Sequence, residues 1–211
     1  MKIALIGASG FVGSAILQEA VSRGHQVTAI VRDVSKVAAH PRVTAVAVDA
    51  QDSQALARVL KGHDRVISAW PGLECPGHLR SVPQRGQRHR GRRQRRQQLA
   101  AGGRRCRQSG NRPGRAAGGH PEFPAEWKQG ALAARDGLTA LRRETTSTGV
   151  SSPHPVFLEP GEKRGGYRLG TDQVLFSGEQ PAGITVGDLA DGVLNEAQAP
   201  AHLRQRFTLG Y

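Results

Sequence analysis

The segment that most constrains the fold lies at the start of the chain, "KIALIGASGFVGSAILQEAVSRG" (2–24). Its first five residues form a short apolar run without alternation, which is typical of a parallel strand covered on both faces. Apolar residues then recur at helical spacing until Gly24. Between the two patterns Gly7, Gly10 and Gly13 stand three residues apart. The sequence therefore predicts a strand, a glycine-rich turn and a helix.

A strand, a glycine turn and a helix are the context that a dinucleotide-binding fingerprint requires. Glycines permit a tight turn and a close approach of the backbone to a pyrophosphate, and the helix N-terminus supplies N–H groups and a positive dipole. The alternative is a glycine turn that holds no ligand. The candidate pyrophosphate site consists of Gly7, Ser9, Gly10, Phe11, Val12 and Gly13.

Strand and helix patterns alternate in the next part of the chain. Strands are predicted over 26–31, 43–52 and 64–70, and a helix capped by Asp52 or Ser53 is predicted over 53–62. This alternation predicts an α/β fold, a doubly wound, Rossmann-like parallel sheet. We expect one domain over 1–211 with a small C-terminal substrate lobe over 156–211.

The residues that follow the second strand predict the choice of cofactor. An acidic residue at this place favours a free ribose 2′-hydroxyl, whereas an arginine suits a 2′-phosphate. Arg32 occupies it, with Lys36 close behind, which favours NADP(H). In the alternative, Arg32 is a solvated loop charge and Asp33 binds the hydroxyl of NAD(H).

The ends of the third and fourth strands predict further dinucleotide contacts. Asp49 and Ala50 would border the adenine. Ser68 and Ala69 would lie where the fourth strand passes the nicotinamide ribose.

Residues 1–37, "MKIALIGASGFVGSAILQEAVSRGHQVTAIVRDVSKV", resemble the atypical short-chain-dehydrogenase-like NAD(P)-binding proteins. The most similar branch contains NADH-flavin reductases and epimerase-like proteins. Segments 121–145, 156–176 and 204–211 resemble the C-terminal part of that branch. The resemblance implies an oxidoreductase that transfers hydride to a planar, flavin-like small-molecule acceptor. The candidates for its acceptor pocket are Trp127, Phe157, Glu159 and Pro160.

The chain lacks the tyrosine–lysine pair of catalytic short-chain dehydrogenases, in which the lysine, four residues on, lowers the pKa of the phenol. Four residues after Tyr167 stands Thr171, and the other tyrosine is Tyr211. Because hydride transfer to a conjugated acceptor needs mainly two planar rings held together, the sequence favours a flavin reductase over an epimerase or dehydratase. No catalytic residue is assigned. A nucleotide-sensing protein on the same fold, which turns nothing over, is the second functional class.

The net charge of +13 comes from one segment. Residues 77–119 hold 13 arginines and no acidic residue or lysine, and the remainder holds 17 basic and 17 acidic residues. The segment also lacks the aromatic residues that stack on bases, so we expect no nucleic-acid partner. Two cysteines without a secretory signal or a long apolar run predict a cytoplasmic protein without a membrane partner. Four residues could be considered as zinc ligands, Cys75, His78, His89 and Cys106. They offer one short spacing and no second compact pair, which argues against a zinc site.

We interpret 77–119 and about 146–155 as frameshifted text. A CGN arginine codon read one base later becomes a GNN codon, for Gly, Ala, Val, Asp or Glu. With allowed codons, "PGHLRSVPQRGQRHRGRRQ" conceals the helical "PDIYEAYRSGASAIVDGVK", and "AAGGRRCRQSGNRPGRAAGG" conceals the strand and turn "LLVVGGAGSLEIAPGVQLV". Likewise "STGVSSPHP" conceals "LDWSFLSPP". One base lost near the codons for His120 and Pro121 would restore the frame.

As written, 77–119 buries too little apolar surface to offset its ordering entropy. We expect it to be irregular and to add no fifth parallel strand of ordinary quality, although part of it can be threaded beside strand four.

Overall fold

The computed structural model describes residues 1–50, 52–69, 157–171, 173–203 and 205–211, and the backbone alone of Ser53, 97–100 and 150–153. All statements about the structure concern these residues.

The first 69 residues form alternating strands and helices. In chain order they are β1 (Lys2–Ile6), α1 (Phe11–Ser22), β2 (Gln26–Val31), a 3-10 turn (Val34–Lys36), β3 (Val43–Ala47), α2 (Ser53–Leu60) and β4 (Arg65–Ser68). Asp52 caps α2, because its carboxylate accepts from the backbone N–H groups of Gln54 and Ala55. The predicted alternation is confirmed, and β3 and β4 are shorter than the sequence pattern indicates.

The later part of the chain contributes short strands and one long helix. They are β5 (Gln97–Ala100), β6 (Val150–Pro153), β7 (Phe157–Glu159), β8 (Arg168–Gly170), β9 (Phe176–Ser177), β10 (Gln180–Pro181), β11 (Gly183–Thr185), α3 (Val186–Gln198) and β12 (Arg206–Gly210). The sequence places the start of the last helix at Asp188. The helix begins two residues earlier, because the Thr185 hydroxyl accepts from the Asp188 N–H and acts as the N-cap.

Eight strands form the main sheet in the order β3-β2-β1-β4-β5-β6-β12-β8. All neighbouring pairs are parallel except β12 and β8, which are antiparallel. Two small pairs, β9 with β10 and β7 with β11, lie outside this sheet. The order reverses beside β1, as in a doubly wound sheet, so the predicted Rossmann-like fold class is confirmed.

The core has two layers because alternate residues of a strand point to opposite faces. Ile3 and Leu5 of β1 belong to the cluster that contains residues of α1 and α3. Ala4 and Ile6 belong to the cluster on the other face, which contains Leu56 of α2. This two-sided burial explains why β1 is an unbroken apolar run.

The structure describes four residues of the basic segment. Gln97–Ala100 form β5, which pairs in parallel with β4 and β6 along the sheet. Part of the segment therefore lies beside strand four, as the sequence analysis allowed, in a short strand whose one large apolar residue is Leu99, and the expectation of an irregular chain does not hold for these four residues. The remainder of 77–119 lies outside the described residues, as do 146–149.

Arg23, which follows α1, joins α1 to α3. Its guanidinium donates to the carboxylates of Glu19 and Asp191 and to the side-chain oxygens of Asn195 and Gln198, at 2.6–2.8 Å. Asp191 is 6% exposed, so the Arg23 side chain helps to neutralise a buried carboxylate and clamps two helices.

His25 is buried beside this clamp, and it predicts a pH dependence of stability. Burial, the Met1 ammonium group and Arg23 lower the pKa of His25 below its ordinary value of 6.5. The unfolded chain therefore takes up a proton more readily than the folded chain, and stability is lost as pH falls below about 6.5. The urea concentration at the unfolding midpoint should be lower at pH 5.5 than at pH 7.5. In His25→Gln this dependence should shrink, whereas a matched change at exposed His40, His40→Gln, should retain it.

Candidate functional site

The ends of the first four strands meet at one edge of the main sheet. Three backbone hydrogen bonds of 2.9 Å join them, from Gly7 N to Ile30 O, from Val48 N to Val31 O and from Ala69 N to Ile6 O. The carboxyl ends of parallel strands are where ligands of this fold class bind. The structure therefore brings the predicted dinucleotide residues to the same edge.

Two of the three glycines in the turn after β1 are required by the chain itself. Gly7 has a φ of 79°, a left-handed conformation that other residues adopt at a cost. At Gly13 a Cβ atom would lie 2.0 Å from the carbonyl oxygen of Gly7. Gly13 thus allows α1 to pack directly against the turn.

Gly10 differs, since nothing among the described residues requires it to be glycine. Its φ is −83°, and a Cβ atom would make only a 3.4 Å contact with the Gly7 oxygen. Gly10 is also the N-cap of α1, where no side chain caps the helix and the first turn holds no acidic residue. An uncapped helix N-terminus with open space above it fits a pyrophosphate.

This geometry changes the role of Gly7. The sequence suggests that a side chain at Gly7 would occupy pyrophosphate space. The left-handed backbone shows that substitution there would also strain the turn, so Gly10 is the residue whose substitution reports on the ligand.

Arg32 follows β2 directly, is exposed and makes no hydrogen bond or ion pair with other described residues. Asp33 is engaged locally, because its Oδ1 accepts from the backbone N–H and the hydroxyl of Ser35, at 3.1 and 2.7 Å. The Ser35 hydroxyl and N–H lower the pKa of the Asp33 carboxyl. The arginine is thus available at this edge, while the neighbouring carboxylate caps a 3-10 turn.

The other predicted dinucleotide residues occupy the ends of β3 and β4. Asp49 is exposed and Ala50 is half-buried past the end of β3. Ser68 ends β4, and buried Ala69 follows it beside Ile6. Their placement is compatible with contacts to adenine and ribose, which remain predictions.

Tyr167 is held in a way that excludes it as a proton-exchanging base. Its hydroxyl donates to Asp191 Oδ2 at 2.7 Å, and Asn195 Nδ2 donates to the Tyr167 oxygen at 3.1 Å. Burial and the bond to Asp191 raise the pKa of Tyr167. Catalysis by a tyrosine needs a lowered pKa, so the structure agrees with the absence of a tyrosine–lysine pair.

The acceptor-pocket candidates are only partly described. Phe157 is half-buried at the start of β7, and Glu159 and Pro160 are exposed at its end. Glu159 pairs with Thr185 of β11 in register. Trp127 lies outside the described residues.

The sequence analysis missed a buried carboxylate, Asp188, that organises this region. Asp188 is 0% exposed and accepts from the N–H groups of Arg164 and Gly165 at 3.1 and 2.9 Å. It also accepts from the hydroxyls of Thr185 and Tyr211, at 3.2 and 2.5 Å. Burial alone would raise the pKa of Asp188, but these four donors lower it. The sequence "TVGD" at 185–188 is the available signal, a threonine cap with an acidic residue three positions on.

No group of three or more His, Cys, Asp or Glu in the described ranges could hold a metal ion. Cys75, His78, His89 and Cys106 lie outside those ranges. None of the helices in the described part of the chain is long and apolar enough to cross a membrane.

Comparison with known proteins agrees with the fold class. Residues 7–101 match the model of a family described as NAD(P)H-binding. The chain is 33% identical to the uncharacterized protein YwnB of Bacillus subtilis (strain 168) over 219 residues, covering 99% of this chain and 98% of YwnB.

Two solved structures are similar over the whole chain. A proposed epimerase of Bacteroides thetaiotaomicron has 32% identity and a TM-score of 0.86, covering 100% of this chain and 96% of that chain. A proposed NADH-flavin reductase of Streptococcus pneumoniae TIGR4 has 29% identity and a TM-score of 0.80, covering 100% and 99%. The chain belongs to the NAD(P)H-binding, Rossmann-like family that its N-terminal motif resembles.

Gly10→Val tests the pyrophosphate site. The new side chain should meet the phosphates rather than the protein, so NADPH affinity should fall at least about tenfold, roughly 1.4 kcal/mol. The melting temperature of the unliganded protein should stay near that of the parent. Ser22→Val, at the exposed opposite end of α1, is the matched control. Calorimetric titration that shows full NADPH affinity in Gly10→Val would contradict the site.

Proposed function

We propose that the protein is an NADPH-dependent oxidoreductase that reduces a planar, flavin-like acceptor. Two neighbouring features carry the proposal. The glycine turn leaves the N-terminus of α1 without a side-chain cap, and exposed Arg32 lies directly after the neighbouring strand β2. The turn suits the pyrophosphate, and Arg32 suits a ribose 2′-phosphate. NAD(H) is the alternative cofactor if Arg32 does not discriminate between NADPH and NADH.

The dinucleotide, when bound, supplies a hydride, and a flavin acceptor is reduced by that hydride together with one proton from solvent. The chain needs no tyrosine base for this exchange, which suits the occupied hydroxyl of Tyr167. Its own contribution is to bind and orient. The turn 7–13 and Arg32 hold the dinucleotide, and the end of β7 is the candidate border of the acceptor.

Steady-state oxidation of NADPH with free flavin separates this function from nucleotide sensing. An oxidoreductase should consume NADPH in proportion to the flavin added. Tight NADPH binding without turnover would instead favour a regulatory protein that senses the cofactor.

Arg32→Ala tests the choice of cofactor. If Arg32 grips the 2′-phosphate through charge-assisted hydrogen bonds, the variant should lose roughly 1–3 kcal/mol of NADPH affinity and little NADH affinity. Arg58→Ala removes the same charge from an exposed position on α2 and serves as the control. An equal loss for both cofactors would show that Arg32 does not discriminate.

We further propose that 77–119 and about 146–155 are translated in a shifted frame, which would make this chain a defective product. β5 pairs Gln98 with Val66 and Gln97 with Arg65 between two parallel strands, where apolar residues are usual. The match to the family model stops at residue 101, inside the basic segment. Similarity to relatives nevertheless covers both ends of the chain, as expected of a local shift with restored frame.

Resequencing the gene across the codons for Cys75 to Pro155 tests this second proposal. We expect the next reading frame of the gene to encode the missing helix and strands in these segments. Single-base insertions or deletions should open and close each shifted segment, one of them near the codons for His120 and Pro121. The frame-restored protein should reduce flavin at least about tenfold faster than the present chain. Its fifth strand would present apolar side chains to the helices on both faces of the sheet. A gene whose next reading frame encodes no such helix and strands across these segments would refute the shift.

A further inference from the structure

Segment 160–166, which leaves β7, is anchored to α3 by two buried carboxylates. Asp188 accepts from the backbone N–H groups of Arg164 and Gly165. Asp191 accepts from the Lys163 ammonium group, and from the hydroxyl of Tyr167 just beyond the segment. The two aspartates stand one helical turn apart, so the segment follows a single face of α3.

Hydrogen bonds fix which end of α3 faces the dinucleotide edge of the sheet. Arg65, the first residue of β4, donates to the carbonyl oxygen of Ala197 near the C-terminus of α3, at 2.7 Å. Tyr211 follows β12, which is parallel to β6, and its hydroxyl donates to Asp188 near the N-terminus of α3. The C-terminus of α3 therefore lies at the amino edge of the sheet, and Asp188 lies toward the carboxyl edge.

The start of the anchored segment lies toward the same edge. Glu159 pairs with Thr185, the residue that caps α3. Gly161 O accepts from Gly187 N at 3.1 Å, and a Cβ atom at Gly187 would lie 2.4 Å from Lys163 N. Such close packing leaves the segment little freedom on its inner side.

Tyr211 completes the anchor from the other direction. Its backbone N–H donates to Gly183 O and its carbonyl oxygen accepts from Arg168, at 3.1 and 2.6 Å. Its hydroxyl is thereby aimed at Asp188. The guanidinium of Arg164 lies over its ring, 5.7 Å from the centroid.

We propose that Asp188 and Tyr211 are positioning residues for the acceptor, which hold Glu159 and the start of segment 160–166 toward the carboxyl edge of the sheet. The inference rests on the proposed function for the identity of the acceptor, a flavin-like ring. The anchoring itself can be measured without any turnover.

Tyr211→Phe removes one donor to Asp188 and keeps the ring, so it is the variant that tests the inference. Loss of this charge-assisted bond should increase the rate of tryptic cleavage after Lys163 and Arg164 about tenfold. Mass spectrometry measures this rate. The dissociation constant of FMN, measured by fluorescence with saturating NADP⁺, should rise by a similar factor. The dissociation constant of NADPH should stay unchanged.

Glu196→Gln is the matched control. Glu196 is a buried carboxylate on the same helix and likewise accepts from two backbone N–H groups, those of Ala201 and His202. It lies near the other end of α3, so its variant should affect neither the cleavage after Lys163 and Arg164 nor FMN affinity.

The possible outcomes separate this inference from the proposed function. Equal cleavage of Tyr211→Phe and the parent would overturn the anchor, and faster cleavage with unchanged FMN affinity would overturn its role toward the acceptor. A parent protein that binds NADPH but no FMN would overturn the flavin acceptor and with it the positioning role, while the cleavage rates would still decide the anchor alone.

Discussion

Helix α1 can pack against the turn that follows β1 only because Gly13 has no side chain. A Cβ atom there would lie 2.0 Å from the Gly7 oxygen, a distance that no rotamer change relieves because both atoms are fixed to the backbone. This close approach places the helix N-terminus at the end of the central strand. It also presents Ile16 to the core layer that contains Leu189 and Val193 of α3. The candidate dinucleotide site and the core layer between the sheet and helices α1 and α3 depend on the same contact.

The two ends of the helix pair then have different chemistry. At the amino edge, Arg23 neutralises buried Asp191 and joins α1 to α3. At the carboxyl edge, Gly10 leaves the N-terminus of α1 without a side-chain cap. Arg23 shares the neutralisation of Asp191 with Lys163, and loss of either cation would leave a buried charge less well compensated. The carboxyl edge retains unsatisfied capacity for an anion, which is the property a phosphate-binding edge needs.

The sequence predicts the first 69 residues well, because local pattern and tertiary environment agree there. β1 is apolar throughout and is buried on both faces, and Gly7 and Gly13 each have a steric requirement. The sequence did not predict the role of Asp188. A single aspartate carries no periodic signal, and three of its four donors, those of Arg164, Gly165 and Tyr211, lie more than twenty residues away. The sequence did not predict the bounds of β5, Gln97–Ala100, because their composition opposes a central strand, while their neighbours in the sheet position them.

The position of β12 bears on how the molecule assembles. Its residues follow every other described element in the chain, yet it lies inside the main sheet, between β6 and β8, and all five of its residues are buried. Strands β1 to β4 come from a contiguous stretch with short connections, so they can pair as soon as they leave the ribosome. Strand β8 pairs in this sheet only with β12, so it cannot join the sheet before residues 206–210 are made. Until then the edge of β6 that β12 covers in the complete sheet is unpaired, and an unpaired strand edge is a site to which another chain can add.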